Sequence, residues 1–145
     1  MSNLFSRSEV ALEISKDLSK KITLDNSYLD WACFNAHQSL ELLLKYIIET
    51  GGLQSPKTHA INDLIIFCKE TGFTYSRFNE LNNLAYDINK WETKTRCGEG
   101  VKVNIDELNI VYEHISKIKE EFITYENKSS SLDRMFNSAN ESNNR

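Results

Sequence analysis

Three histidines and two clusters of cations carry most of the reactive chemistry in this 145-residue chain. His59 closes the run Pro56-Lys57-Thr58-His59, just ahead of an apolar segment. Lys94, Arg96 and Lys102 lie in the stretch TKTRCGEGVK, where Gly98 and Gly100 let backbone N–H groups turn outward. Cations and amide donors of this kind, gathered beside helix N-termini, suit a phosphate group. The same lysines and arginine also read simply as loop solubilisers. His37 and His114 fall inside apolar helical runs, where a hydrogen-bonded core or interface histidine is expected rather than a catalyst. General acid–base work at any histidine needs a partner within hydrogen-bond reach. Gln38, Glu41, Lys45 and Glu49 step by three and four and so line one side of a helix. They form either a solvated strip, with a Glu41–Lys45 ion pair worth roughly a few tenths of a kcal/mol, or a dimer seam or ligand-facing strip.

Most familiar catalytic signatures are missing. There is no Walker phosphate loop, no GxGxxG, no HExxH and no CxxC. No Ser or Cys has the local signature of a nucleophile. Cys33, Cys68 and Cys97 form an odd set without metal-ligand spacing, and two of them sit on apolar faces. Buried free thiols in a reducing cytoplasm follow. No catalytic residue, metal site or cofactor is therefore assigned. The net charge of −4 argues against coating nucleic acid by bulk charge and leaves room for a local basic patch. Residues 2–21 are too polar for a signal peptide, and no run is long enough to span a bilayer. A cytoplasmic, membrane-free protein is expected.

The element that must position these groups is SYLDWACFNAHQSLELLLKYIIET, between Asp25 and Gly51. As a helix it is a rod of about 36 Å. Leu29, Ala32, Cys33, Ala36, Leu40, Leu43, Leu44 and Ile47 fill one face, and Tyr28, Leu42, Tyr46 and Ile48 widen it. A helix apolar over so much of its circumference must be packed on several sides, so it is the central one. A first helix runs from Ser6 or Ser8 to Lys21, with Ser8 as N-cap and Val10, Ala11, Ile14, Leu18 and Ile22 inward. Gly51-Gly52 stop the central helix. A short third helix spans Ile61 to Glu70, and a fourth spans Tyr75 to Lys94 with Phe78, Leu81, Leu84, Ala85, Ile88 and Trp91 inward. Asn104 and Glu107 open a fifth with a capping box, which repeats Leu108, Val111, Tyr112, Ile115, Ile118 and Phe122 and ends at Tyr125 or Asn127.

The fold class is thus all-α: an antiparallel bundle of about five helices over residues 1–127, followed by a Ser- and Asn-rich tail, 128–145, expected to be disordered. Leu132, Met135 and Phe136 could form one docking turn in that tail. Strict up-down alternation would put the loops 51–60 and 94–104 at one end. That alternation would join Lys57, Thr58 and His59 to Lys94, Arg96 and Lys102.

The run FNAHQSLELLLKYII, then Gly51-Gly52, then PKTHAINDL, resembles the HEPN domain (higher eukaryotes and prokaryotes nucleotide-binding). Phe34, Ala36, Gln38, Glu41, Leu44 and Lys45 supply the pattern of that family's long helix, and Pro56, Thr58 and His59 match the loop after it. Arg96 matches the arginine of the Arg-Tyr-Pro that ends the fourth helix in many members, while Cys97 and Gly98 replace its other two residues. The resemblance covers about Ser8 to Phe122. It implies a helical bundle, usually dimeric, often encoded beside a minimal nucleotidyltransferase in toxin–antitoxin or defence modules. Many such proteins are metal-independent ribonucleases using an Arg followed four to six residues on by a His. No histidine here has an arginine at that distance. The resemblance thus implies a binding module for a nucleotide, an RNA phosphate or a nucleotidyltransferase partner. A ribonuclease toxin with a non-standard site, or a bundle that only mediates assembly, are the alternatives.

Overall fold

A computed structural model describes residues 3–96 and 104–143, the side chains of Arg96 and of residues 137–143 excepted. It contains α1 (Leu4–Ser19), α2 (Ser27–Thr50), α3 (Ile61–Glu70), α4 (Phe78–Arg96) and α5 (Ile105–Asn143), and no strand among the described residues. The all-α bundle expected from the apolar periodicities is present. None of the helices is long and apolar enough to cross a membrane among the described residues.

Burial shows why α2 is central. Ala32, Cys33, Ala36, Leu40, Leu43, Leu44, Ile47 and Ile48 are all buried, so three sides of the helix face protein. Ile61, Leu64, Ile65 and Cys68 cover it from α3; Leu81, Ala85, Ile88 and Trp91 from α4; Leu108, Val111, Ile115 and Ile118 from α5. Phe73 at the α3–α4 turn packs edge-on against Phe78, Phe122 and Tyr125 and closes one end. Gly51-Gly52 end α2 in a Schellman motif: Leu53 N–H donates to the Ile48 carbonyl, Gly52 N–H donates to that of Glu49, and Gly52 has φ +90°.

The first helix differs from expectation. It begins at Leu4, so Ser8 lies inside it rather than capping it. Its buried positions are Ser8, Ala11 and Ser15, while Val10 and Ile14 are 52% and 43% exposed. Small side chains win the inward face because the two backbones approach closely. Ser8 Oγ donates to the Ser39 carbonyl (2.7 Å), Ser39 Oγ to the Ser8 carbonyl (2.9 Å) and Ser15 Oγ to the Ala32 carbonyl (2.6 Å). These bonds satisfy hydroxyls that burial would otherwise penalise.

The chain direction also departs from strict alternation. With α2 running upward, α1 runs down, since Ser8 meets Ser39 and Ser15 meets Ala32. The loop 51–60 descends along α2 until the His59 carbonyl reaches His37. α3 then climbs parallel to α2, with Cys68 Sγ against the Leu44 carbonyl and Thr71 against Gly51. α4 descends, bringing Thr95 Oγ1 to the Asp30 carbonyl, and α5 climbs from the level of Ser15 and Tyr112 to that of Tyr46 and Phe122. The ten-residue connection after α2 is long enough to return, which a shorter one would forbid. α4 starts at Phe78, not Tyr75, and α5 runs as helix to Asn143, past the end expected at Tyr125 or Asn127 and through most of the tail expected to be disordered. No Gly or Pro interrupts 105–143, so nothing in the chain forces a stop. Leu132, Met135 and Phe136 are exposed there and dock on nothing among the described residues.

Candidate functional site

The strip on α2 holds the most unusual chemistry of the molecule. Glu41 is only 4% exposed, so the strip is not solvated at that point. One turn earlier His37 is fully buried, and Glu92 of α4 faces both at 6% exposure. His37 Nδ1 lies 3.8 Å from Glu41 Oε1 and 3.9 Å from Glu92 Oε2. Buried carboxylates are rare unless they are paired. Glu41 has two partners: Lys45 Nζ donates to its Oε2 (3.2 Å), and His59 Nδ1–H donates to its Oε1 (3.0 Å). The ion pair with Lys45 has the expected i,i+4 orientation. Gln38 is half-buried on the same side of α2.

His37 Nε2 lies 3.0 Å from the carbonyl oxygen of His59. A carbonyl only accepts, so Nε2 carries a proton and the ring's remaining lone pair is on Nδ1. Burial holds the ring's pKa below the usual histidine value, against the opposing pull of Glu41 and then Glu92. A neutral ring therefore turns a lone pair towards two carboxylates. Nδ1 has no hydrogen-bond partner among the described residues.

The loop that delivers His59 is built to hold α3. Thr58 Oγ1 accepts from Ala60 N–H (3.1 Å) and donates to Asp63 Oδ2 (3.2 Å). Ile61 N–H donates to Asn89 Oδ1 (2.9 Å), whose amide in turn donates to Asn62. The amides of Ala60 and Ile61 are thus bound within the protein, and Asp63 puts a negative charge in the first turn of α3. Asn89, a poor helix former, is explained by this cap on a neighbouring helix.

The strict alternation that would have joined the basic residues at one end is absent, because α3 climbs beside α2. Lys57 is exposed beside Asp63, Ile66 and Phe67, in an open groove of about 370 Å³ on the α3 side. Lys94 is half-buried on the last turns of α4, level with the start of α2. The Arg96 side chain and all of Lys102 lie outside the described residues. The structure brings Thr58 and His59 to Glu41 and Lys45, joining members of two sets that the sequence kept apart. Sequence reasoning missed His37 and Glu92 as members of this cluster. The spacing His37-x-x-x-Glu41 was a visible signal; the arrival of Glu92 from α4 had none.

The remaining candidates are structural. His114 is buried and shares a 2.8 Å hydrogen bond with the Tyr75 hydroxyl. Burial pushes the thiols of Cys33 and Cys68 up to about 12, which makes them inert rather than nucleophilic.

No curated protein and no solved structure matches the chain. The model of the HEPN domain does, over residues 3–130. That span takes in all of α1 to α4 and the packed part of α5, and with it every residue of the cluster around Glu41. The chain belongs to the HEPN domain family.

Proposed function

We propose that this HEPN domain is a binding module that self-associates and serves as one component of a toxin–antitoxin or defence module, beside a nucleotidyltransferase partner. The observation that carries the reading is an apolar flank along the α1–α2 seam. Val10 and Ile14 on α1 and Trp31 on α2 are about half exposed, and Leu24 between the helices is 75% exposed. Trp31 packs edge-on against Phe34, with ring centroids 5.5 Å apart, which presents a stiff aromatic pair at the surface. Contiguous exposed apolar side chains rimmed by polar ones mark protein contact surfaces. The flank borders the Gln38 side of the central helix, so a second copy of this chain is its proposed occupant. Sedimentation equilibrium of the wild type and of Ile14→Lys and Trp31→Glu tests it. A dimer that both substitutions dissociate, with helix content unchanged, is the expected result. A wild-type monomer at tens of micromolar, or variants as dimeric as wild type, would refute it.

A second reading, a nucleotide or RNA phosphate held by Lys57, Thr58, His59, Lys94, Arg96 and Lys102, draws its support from His59, whose side chain is 58% exposed with Lys57 two residues before it. Titration of ATP and AMP into wild type, His59→Ala and Arg96→Ala tests it, with weaker binding expected in both variants. Catalysis by a non-standard ribonuclease site would instead appear as growth arrest on overexpression that His59→Ala abolishes.

A further inference from the structure

We propose that His37, Glu41 and Glu92 are the ligands of a divalent transition-metal site, with Zn²⁺ the ion that fits best. The imidazole nitrogen and the two carboxylate oxygens all lie within 4.8 Å of one another, and all three residues are buried. Zinc takes such ligands at about 2.0–2.2 Å, so side-chain rotation brings this set to bonding distance without moving either helix.

The case rests on the ring of His37. Its Nε2–H is committed to the His59 carbonyl, which fixes the tautomer and aims the Nδ1 lone pair between Glu41 and Glu92. A lone pair facing two anions in a buried site is unfavourable until a cation lies between them. A metal-binding histidine commonly has its other nitrogen donating to a carbonyl in this way. The His59 ring donates to Glu41 Oε1 and holds that carboxylate in place, and Lys45 holds the other oxygen. Lys45 also offsets part of the negative charge of Glu41, which weakens the site for any cation. One imidazole with two carboxylates suits zinc, manganese or ferrous iron better than magnesium or calcium, which prefer oxygen alone. Three protein ligands leave one position for water or a ligand, on the side of the exposed His59.

The test uses the purified full chain, stripped with EDTA. Titration with Zn²⁺ alone, read by calorimetry and by thermal unfolding, should give one equivalent bound and a raised melting temperature. Co²⁺ in its place should show visible d–d bands without thiolate-to-metal charge transfer. Glu92→Gln and Glu41→Gln, nearly isosteric, should bind Zn²⁺ at least tenfold more weakly. In EDTA, Glu92→Gln should keep the wild-type helix content, so that its weaker zinc binding is read on a folded chain even where Glu41→Gln folds poorly. Folded wild type that takes up no stoichiometric zinc, a thiolate band from a cysteine site, or Glu92→Gln binding as wild type would overturn the assignment.

Discussion

Replacing Gly51 by alanine places the new methyl carbon 2.5 Å from Thr71 Cβ and 2.7 Å from Thr71 Cγ2. Carbon atoms in contact sit about 3.5–4.0 Å apart, so the ends of α2 and α3 must separate by more than an ångström. Overpacking of this kind costs about 1–3 kcal/mol. For a domain of this size that lowers the melting temperature by about 3–10 °C. Gly51 has φ −76°, so none of the loss comes from its own backbone. Gly52 is the converse: nothing lies within 4 Å of its built Cβ, but its φ of +90° disfavours any side chain. Gly52→Ala should cost about 1–2 kcal/mol through backbone conformation alone, and Gly52→Asn less than Gly52→Ala. A double-mutant cycle separates the two causes. Thr71→Gly should rescue part of Gly51→Ala and none of Gly52→Ala, measured by urea unfolding with unchanged m values. An unchanged midpoint for Gly51→Ala, or strict additivity with Thr71→Gly, would show that the two helix ends do not touch as described.

Further outcomes follow from individual contacts. Ser15→Ala removes the bond to the Ala32 carbonyl and leaves the buried-side Tyr112 hydroxyl without its 2.7 Å partner; a loss of about 1–2 kcal/mol in chemical unfolding is expected. Asn104→Ala should cost about 1 kcal/mol, since Asn104 Oδ1 accepts from Glu107 N–H at 3.0 Å and caps α5. Burial, then the nearby Arg77, holds His114 below the usual histidine pKa, so the native state resists its protonation. The resulting stability is present above the unfolded value of about 6.5 and is lost as pH falls below it towards the folded value. Melting temperature should therefore decline from about pH 6.5 downward, and His114→Gln should flatten that decline. Amides of residues 130–136 of α5 should exchange in seconds, because the side chains of that stretch are exposed; slow exchange there would mean that something covers it.

Periodicity made much of the bundle legible. The bounds of α3, the inner face of α4 from Phe78 to Trp91, the Asn104 cap and the apolar girth of α2 were all readable from residue spacing, because each depends on local pattern and burial alone. The direction of α3 was not. Short links favour alternation, yet ten residues after Gly51 suffice to carry the chain back down α2, and no local rule distinguishes the two courses. The inward face of α1 was misread for a different reason. Hydrophobicity points to Val10 and Ile14, whereas close backbone approach selects Ser8, Ala11 and Ser15. At the site, His37, Glu41 and Lys45 were readable as neighbours on one helix, and His59 as the loop histidine of interest. Their union with Glu92 depended on the same chain reversal that sequence could not reveal.

The seam between α1 and α2 bears on how the molecule assembles. Most of the greasy contact area belongs to α2 through α5, while the buried positions of α1 are two hydroxyls and a methyl, with Leu12 and Leu18 only partly covered beside them. Collapse of α2 through α5 can therefore proceed without the N-terminal helix, whose hydroxyls find their acceptors only once the carbonyls of Ala32 and Ser39 are in place. α1 should be the last piece to dock and the first to come away, a clasp fastened by directional bonds over a body that has already condensed.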